Sequence, residues 1–346
     1  MLTVFLDIMS RLRKGEGIMP PHSVLIIADN PFTEAGELGP YGYTLDAHAT
    51  AIREHDDFYW LGCIAPAPEF LRRAKQEWQT PIAVTSLDEL AEPPAADIVI
   101  LLTEPQRRAG LIQQLGGARW VVVEQPLGLG VADSEAFMGF CRTNGVEVLV
   151  NGAWRTDPLV RTLAGGGAAA AIGDIQCAFG AYGQGLWHMG TMMADLVPHV
   201  LGPISIVHAL EEVRHIENAA VPDDQSAAFC LNLHRPRASG DLIVTVDCRN
   251  AVETGLYLTI LGNGGRLTLS ITEAGSTLQT EPIGGPLRTQ SSSANKILKA
   301  FYANLAACAA GTETPACPIA DAVDAERVIE VVLDSADHDG ERFHYR

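Results

Sequence analysis

The sequence predicts an α/β protein in two parts: a doubly wound parallel sheet, then an α+β part on a large, open, mainly antiparallel sheet. Three observations predict it. Between residues 23 and 150, short apolar β-rich runs alternate with helical stretches, the pattern of βαβ units. From about residue 175, strand follows strand with only short turns between them, which favours antiparallel pairing. The 346 residues also exceed what one core ordinarily holds, at roughly 150 residues per domain. The expected divisions are an N-terminal extension over 1–22, a first domain over 23–152 and a second over 153–346.

In chain order, "SVLIIAD" (23–29) is a continuous apolar run suited to a strand buried on both faces, followed after a loop by the helical "TLDAHATAIREH". "FYWLGCIA" is a second strand and "PEFLRRAKQEW" its crossover helix. "PIAVTS", a short acidic helix at "LDELA", the strand "DIVILLT" and the helix "QRRAGLIQQLG" come next. "RWVVVEQP", the helix "DSEAFMGFCRTNG" and the strand "VEVLVNG" complete the first half. Glycine-rich "LAGGGAAAAIGD" (163–174) reads as a boundary loop. Beyond it "IQCAFGAYG", "ISIVHALEEVRHI", "QSAAFCLNLHR", "GDLIVTVDCRN", "GLYLTILGNG" and "GRLTLSIT" read as strands, with a hairpin turn at "GNGG" (262–265). Two helices close the chain, "ANKILKAFYANLAACAAG" and "IADAVDAERVIEVVLDSAD".

Composition narrows the function classes. A net charge of −18 repels phosphate backbones and anionic bilayers, so neither nucleic acid nor a membrane surface is an expected partner. Seven dispersed cysteines without a Cys-x-x-Cys pair point to a reduced, cytoplasmic protein. The opening residues place the apolar stretch before the basic one, the reverse of a signal peptide. No Walker loop, Gly-x-Ser-x-Gly elbow or His-Glu-x-x-His is present, and the histidines show no metal-ligand spacing, so no metal is expected.

The motifs narrow it further. "DIVILLTEP", followed by "VVVEQPLGLGVADSEAFMGFCRTNGVEVLVNGAWRTDPLVR", resembles the Gfo/Idh/MocA family, the glucose-fructose oxidoreductase and inositol dehydrogenase group. That family ends a strand in Glu-Lys-Pro and enters its second domain through Arg-x-Asp-Pro; here these are Glu124-Gln125-Pro126 and Arg155-Thr156-Asp157-Pro158. Its Asp-x-Gly-x-His-x-x-Asp helix is similar to "HMGTMMAD", His188 to Asp195, and "LTILGNGGRLTLS" is similar to its sheet hairpin. The resemblance runs over nearly the whole chain from residue 23. It implies a Rossmann-like dinucleotide-binding domain, a substrate and oligomerisation domain, NAD or NADP as cofactor, a small polar alcohol, ketone or imine as substrate, and a homodimer or homotetramer formed through the open sheet.

The departures fall on the reactive positions. The Gly-x-Gly-x-x-Gly loop that lets amides approach a pyrophosphate keeps only Gly42, with Pro40 and Leu45 at the outer glycines. The second strand carries Ala65 where an acidic residue would bind ribose hydroxyls; Arg72 and Arg73 nearby read either as a lean toward NADP or as a solvated helix face. The resemblance further implies cofactor contacts at Thr103, Glu124 and Pro126. The motif lysine is Gln125, and a carboxamide cannot shuttle a proton as a buried ammonium can. The motif Asp is His188, which titrates in the right range to act as acid/base or else is a locally bonded helix-start histidine. The motif His is Met192, four residues on and so on the same helix face. Asp195 persists and joins Gln125 and His188 as the catalytic candidates. A shortened segment before "GLWHMG" leaves the pocket to Tyr182, Trp187 and Met192, with Arg155 and Trp154 from the linker; an aromatic there serves packing or recognition. His199 reads as a satisfied core histidine. Three functions stay open: a nicotinamide-dependent oxidoreductase, a non-catalytic sensor or interaction subunit, and a non-redox elimination or isomerisation enzyme.

Overall fold

The computed structural model describes residues 21–29, 43–216, 221, 223–234, 242–247 (backbone alone) and 255–345. Gly42 and Pro40, at two of the three motif-glycine positions, lie outside them.

Six parallel strands form the first sheet: β1 (His22–Ala28), β2 (Phe58–Ile64), β3 (Ile82–Val84), β4 (Ile98–Leu102), β5 (Trp120–Val123) and β6 (Glu147–Val150), in the order β3-β2-β1-β4-β5-β6. The order reverses between β1 and β4, and sheets of this kind take ligands at such a reversal, beyond the carboxyl ends of the strands. The apolar runs are continuous because both faces are covered. Val24, Ile26, Ile98 and Val122 join the core on one face, with Leu45, Ala49 and Ile52 of the helix Leu45–Arg53; Leu25, Val99, Val121 and Val123 join that on the other, with Leu111 and Leu115 of the helix Pro105–Leu115. Thr44 caps the first helix by accepting from the Ala47 amide, worth about 1 kcal/mol.

The second sheet has nine strands among the described residues. These are β7 (Ile175–Tyr182), β8 (Ile204–Ala209), β11 (Phe229–Leu233), β12 (Leu242–Asp247), β13 (Gly255–Gly262), β14 (Gly265–Thr272), β15 (Gly275–Pro282), β16 (Arg288–Ser293) and β17 (Phe343–His344). Their order is β16-β15-β14-β13-β7-β12-β11-β8-β17, antiparallel except for β7 with β12. β9 (Arg214–His215) and β10 (Gln225–Ser226) make a separate ribbon. The expected hairpin turn is present, with Asn263 and Gly264 between the paired Gly262 and Gly265. Leu256, Leu258, Ile260, Leu267 and Leu269 face the same core as the helices Thr191–Leu201 and Ala294–Ala309. The alternate positions form cross-strand rows on the other face, Phe179–Thr259–Thr268–Gln279–Thr289 and Ala181–Tyr257–Ser270–Thr277–Ser291. That face is rich in hydroxyl and amide groups; among the described residues of these rows Phe179 is the large exposed apolar side chain, at 51%.

Four local expectations need correction. Residues 163–174 are a 3₁₀ turn, Ala164–Gly166, and a helix, Gly167–Ile172, because Gly165 and Gly166 (φ 61° and 94°) reset the chain and the alanines then run helical. "LDELA" shrinks to the 3₁₀ turn Leu87–Glu89. "ISIVHALEEVRHI" breaks after Ala209 into β8 and β9, where two consecutive glutamates interrupt the apolar run. The closing helices are followed by one more strand, β17, on the edge of β8. No helix among the described residues is long and apolar enough to cross a membrane.

Candidate active site

Thr103, Gln125 and Asn151 stand at or just beyond the carboxyl ends of β4, β5 and β6, with exposures of 0%, 8% and 9%. Thr103 Oγ1, both amide atoms of Gln125 and Asn151 Oδ1 are buried without a partner among the described residues. Each such group costs about 1–3 kcal/mol when left unmatched in a finished structure. At the ends of three neighbouring strands, they are the atoms that a ligand bearing both donors and acceptors would satisfy, which makes this strand edge the candidate seat.

The loop after Gln125 is clamped from two sides. The buried Arg108 guanidinium donates to the carbonyls of Thr103, Pro126 and Leu127. From the helix Ile319–Asp337, Glu326 accepts from the Leu127 amide (2.5 Å) and the Ser134 hydroxyl, and Glu330 accepts from the Val131 amide (2.7 Å). Burial lowers Arg108 to about 10, which leaves it cationic, and raises Glu326 to about 7. Pro126, joined to Gln125 by a cis peptide, is held in this clamp through its carbonyl.

Glu124 lies beside the seat. Its Oε1 accepts from Asn151 Nδ2 at 2.7 Å and stands 3.9 Å from His48 Nε2, whose ring Nδ1 is 2.7 Å from the Tyr302 hydroxyl. The nearby Tyr43 hydroxyl donates to the Ala294 carbonyl at 2.8 Å. Burial raises Glu124 to about 7 and lowers His48 to about 4, so the imidazole is neutral near physiological pH. Sequence reasoning found Glu124 and missed its two partners, His48 and Tyr302, which sit on two helices far apart in the chain.

His188 lies in the turn Leu186–Gly190 that opens the helix Thr191–Leu201. The fully buried Asp224 carboxylate accepts from the amides of Trp187 (2.9 Å), His188 (3.1 Å) and Gln225 (2.7 Å). Gly185, at φ 99°, lets this carboxylate approach: a Cβ there would sit 2.2 Å from Asp224 Oδ2. Burial lowers His188 to about 4, so the ring is a neutral hydrogen-bonding group and not an acid at neutral pH. Nothing in the local pattern signalled Asp224, an acidic residue just before the short strand Gln225–Ser226. Met192 is buried in the core, and Trp187 packs against that core from its edge.

Asp195 does not stand free for proton transfer. Arg155 Nε donates to Asp195 Oδ2 at 3.0 Å and Arg155 Nη2 to Oδ1, while Arg155 Nη1 reaches Asp321 Oδ2 at 2.6 Å and the Ala316 carbonyl at 3.2 Å. Burial raises Asp195 to about 6 against the opposing Arg155 charge; burial pulls Arg155 down, but Asp195 and its other acidic neighbours raise it overall. Arg155 and His199 line two adjoining cavities of ≈ 350 and ≈ 860 Å³, neither of which includes Gln125 or His188.

The other candidates differ in their surroundings. Trp154 is 1% exposed with its ring edge-on to His199 at 5.6 Å and its Nε1 buried without a partner among the described residues, whereas Tyr182 is fully buried with its hydroxyl donating to the Ala227 carbonyl at 2.6 Å. Arg72 is exposed at the surface, while Arg73 is drawn to Asp46 and stacks over Phe70 and Trp78. His199 is not satisfied: its Nε2 is buried without a partner among the described residues.

No family model matches the chain. A segment of 128 residues is 31% identical to rabbit (Oryctolagus cuniculus) trans-1,2-dihydrobenzene-1,2-diol dehydrogenase; the match spans 36% of this chain and 39% of that enzyme. Among solved structures, an oxidoreductase from Agrobacterium radiobacter in complex with NAD+, L-tartaric acid and magnesium superposes with a TM-score of 0.67 at 14% identity, covering 93% of this chain and 98% of that one. The transcriptional regulator Gal80p from Kluyveromyces lactis superposes with a TM-score of 0.70 at 12% identity, covering 97% of each. The chain therefore shares the two-domain fold of these structures over nearly its whole length.

Proposed function

We propose that the protein is a nicotinamide-dependent oxidoreductase acting on a small polar alcohol, ketone or imine. The observation that carries this reading is the set of unpartnered buried atoms on Thr103, Gln125 and Asn151 at the carboxyl ends of the central strands. A dinucleotide's carboxamide and ribose hydroxyls fit such a set, since they donate and accept at once. When bound, a nicotinamide supplies a hydride acceptor or donor. The chain's own residues then bind and orient: Thr103 and Asn151 hold polar groups, Gln125 directs a substrate oxygen, and neutral His188 accepts or donates one hydrogen bond. The match to a dehydrogenase and the NAD+-bound neighbour support the reading.

Titration with NAD(H) and NADP(H), followed by energy transfer from the protein's tryptophans, tests it. Binding below about 0.1 mM, weakened at least tenfold by Gln125→Leu, is the expected result. A folded protein that binds neither cofactor at millimolar concentration would overturn the reading. A second reading is a small-molecule sensor that binds without turnover; Gal80p, a transcriptional regulator of the same fold, and Gln125 in place of the motif lysine favour it. Cofactor binding without turnover across a polyol and hydroxy-acid panel would select it.

Copies of the chain pair, in this proposal, through the outer face of the nine-stranded sheet around Phe179, whose exposed ring would otherwise meet water. Phe179→Glu is expected to shift the sedimenting species to the monomer; an unchanged mass would dismiss this interface. The free state of all six described cysteines supports a reducing, cytoplasmic setting.

A further inference from the structure

We propose that Glu124 is the residue that exchanges a proton with the substrate, and that His48 and Tyr302 are positioning residues that hold its carboxyl group from behind. The assignment rests on the oxidoreductase reading and moves the acid/base role away from His188. The geometry selects Glu124 by elimination and by fit. Gln125 has no proton to give near neutral pH. Asp195 has both oxygens committed to Arg155. His188 is 4% exposed, with its amide tied to Asp224. Glu124, by contrast, is anchored through one oxygen and open through the other: Oε1 accepts from Asn151 and faces His48, whereas Oε2 has no hydrogen-bond partner among the described residues and the side chain retains 19% exposure.

The groups facing the carboxyl come from every element packed on it. They are Asn151 after β6, Arg108 of the helix Pro105–Leu115, His48 of the helix Leu45–Arg53, Tyr302 of the helix Ala294–Ala309, and Tyr43. Arg108 is the one cation among these five, and its guanidinium is spent on backbone carbonyls. If the Tyr302 hydroxyl donates to Nδ1, the His48 Nε2 carries the hydrogen, 3.9 Å from Glu124 Oε1. In the proton step, the O–H bond of a bound alcohol breaks and its electron pair stays on the substrate oxygen. A lone pair of the Glu124 carboxylate forms the new O–H bond, and the reverse step returns the proton. Burial raises Glu124 to about 7, so both forms are populated near neutral pH.

Two readouts test this, one independent of any cofactor. In the ligand-free protein with ¹³C-labelled glutamate carboxyls, infrared titration should show a protonated carboxyl that ionises between about pH 6 and 8, is absent in Glu124→Gln, and moves by about one unit in His48→Asn. In turnover at saturating cofactor, Glu124→Gln should lower kcat at least about 100-fold, while His48→Asn and Tyr302→Phe should move the kcat pH profile and leave KM unchanged. Either of two results overturns the proposal: no carboxyl titration in that window that Glu124→Gln removes, or full turnover in Glu124→Gln. The infrared signal without nicotinamide binding would defeat the oxidoreductase reading while supporting Glu124 as the proton-exchanging group.

Discussion

Arg155→Met is expected to cost about 3–5 kcal/mol of folding stability, the range for removing one partner of a buried ion pair. Asp195 is 2% exposed and receives two hydrogen bonds from this one guanidinium, which also joins Asp321 and the Ala316 carbonyl. Methionine fills most of the volume and satisfies none of those oxygens. The Asp195 carboxyl would then either stay ionised in an apolar surrounding or take up a proton. Urea unfolding at constant m-value measures the loss, and Arg155→Met combined with Asp195→Leu should recover most of it, because no orphaned charge remains. A loss below about 1 kcal/mol for the single substitution would mean that water reaches Asp195 freely.

Asp224→Ala should be the next most damaging change. Three backbone amides, those of Trp187, His188 and Gln225, converge on one fully buried carboxylate, and each unmatched buried donor costs about 1–3 kcal/mol before the chain relaxes. Partial hydration of the opened turn reduces the total to about 2–4 kcal/mol. The turn also sets where the His188 ring stands, so substrate KM should rise along with the loss of stability. Asp224→Asn keeps one oxygen acceptor and should fall between the alanine variant and the parent. Unchanged KM and thermal midpoint in Asp224→Ala would show that the turn holds its shape through packing alone.

The parts of this molecule legible in the sequence are those governed by period and composition. Runs such as "SVLIIAD" and "DIVILLT" are buried on both faces, so their residues are apolar without interruption, and only a strand between two helical layers requires that. Gln125 was legible because a polar residue closing such a run has no packing reason to be there. The polar contacts behind the site were not. His48 and Tyr302 meet across 254 residues, and no local pattern encodes a hydrogen bond between two helices so far apart in the chain. Asp195 illustrates the opposite error: its place in the motif suggested chemistry, while its geometry makes it the counter-ion of Arg155. Residues 163–174 were misread for a local reason, since glycines that reset the backbone look in sequence like glycines that loosen it.

The ties from Glu326 and Glu330 to the loop at 127–131 also bear on the order of events during synthesis. Each joins residues 199 positions apart, so the strand-end loop receives these bonds only after residues 326 and 330 have been made. The first sheet can assemble on the ribosome as its strands emerge, but the loop carrying Gln125 takes its final form when the helix Ile319–Asp337 docks. A fragment ending before residue 319 should therefore keep the parallel sheet and lose the ordered ligand edge, and a nascent chain would lack that edge until this helix has emerged.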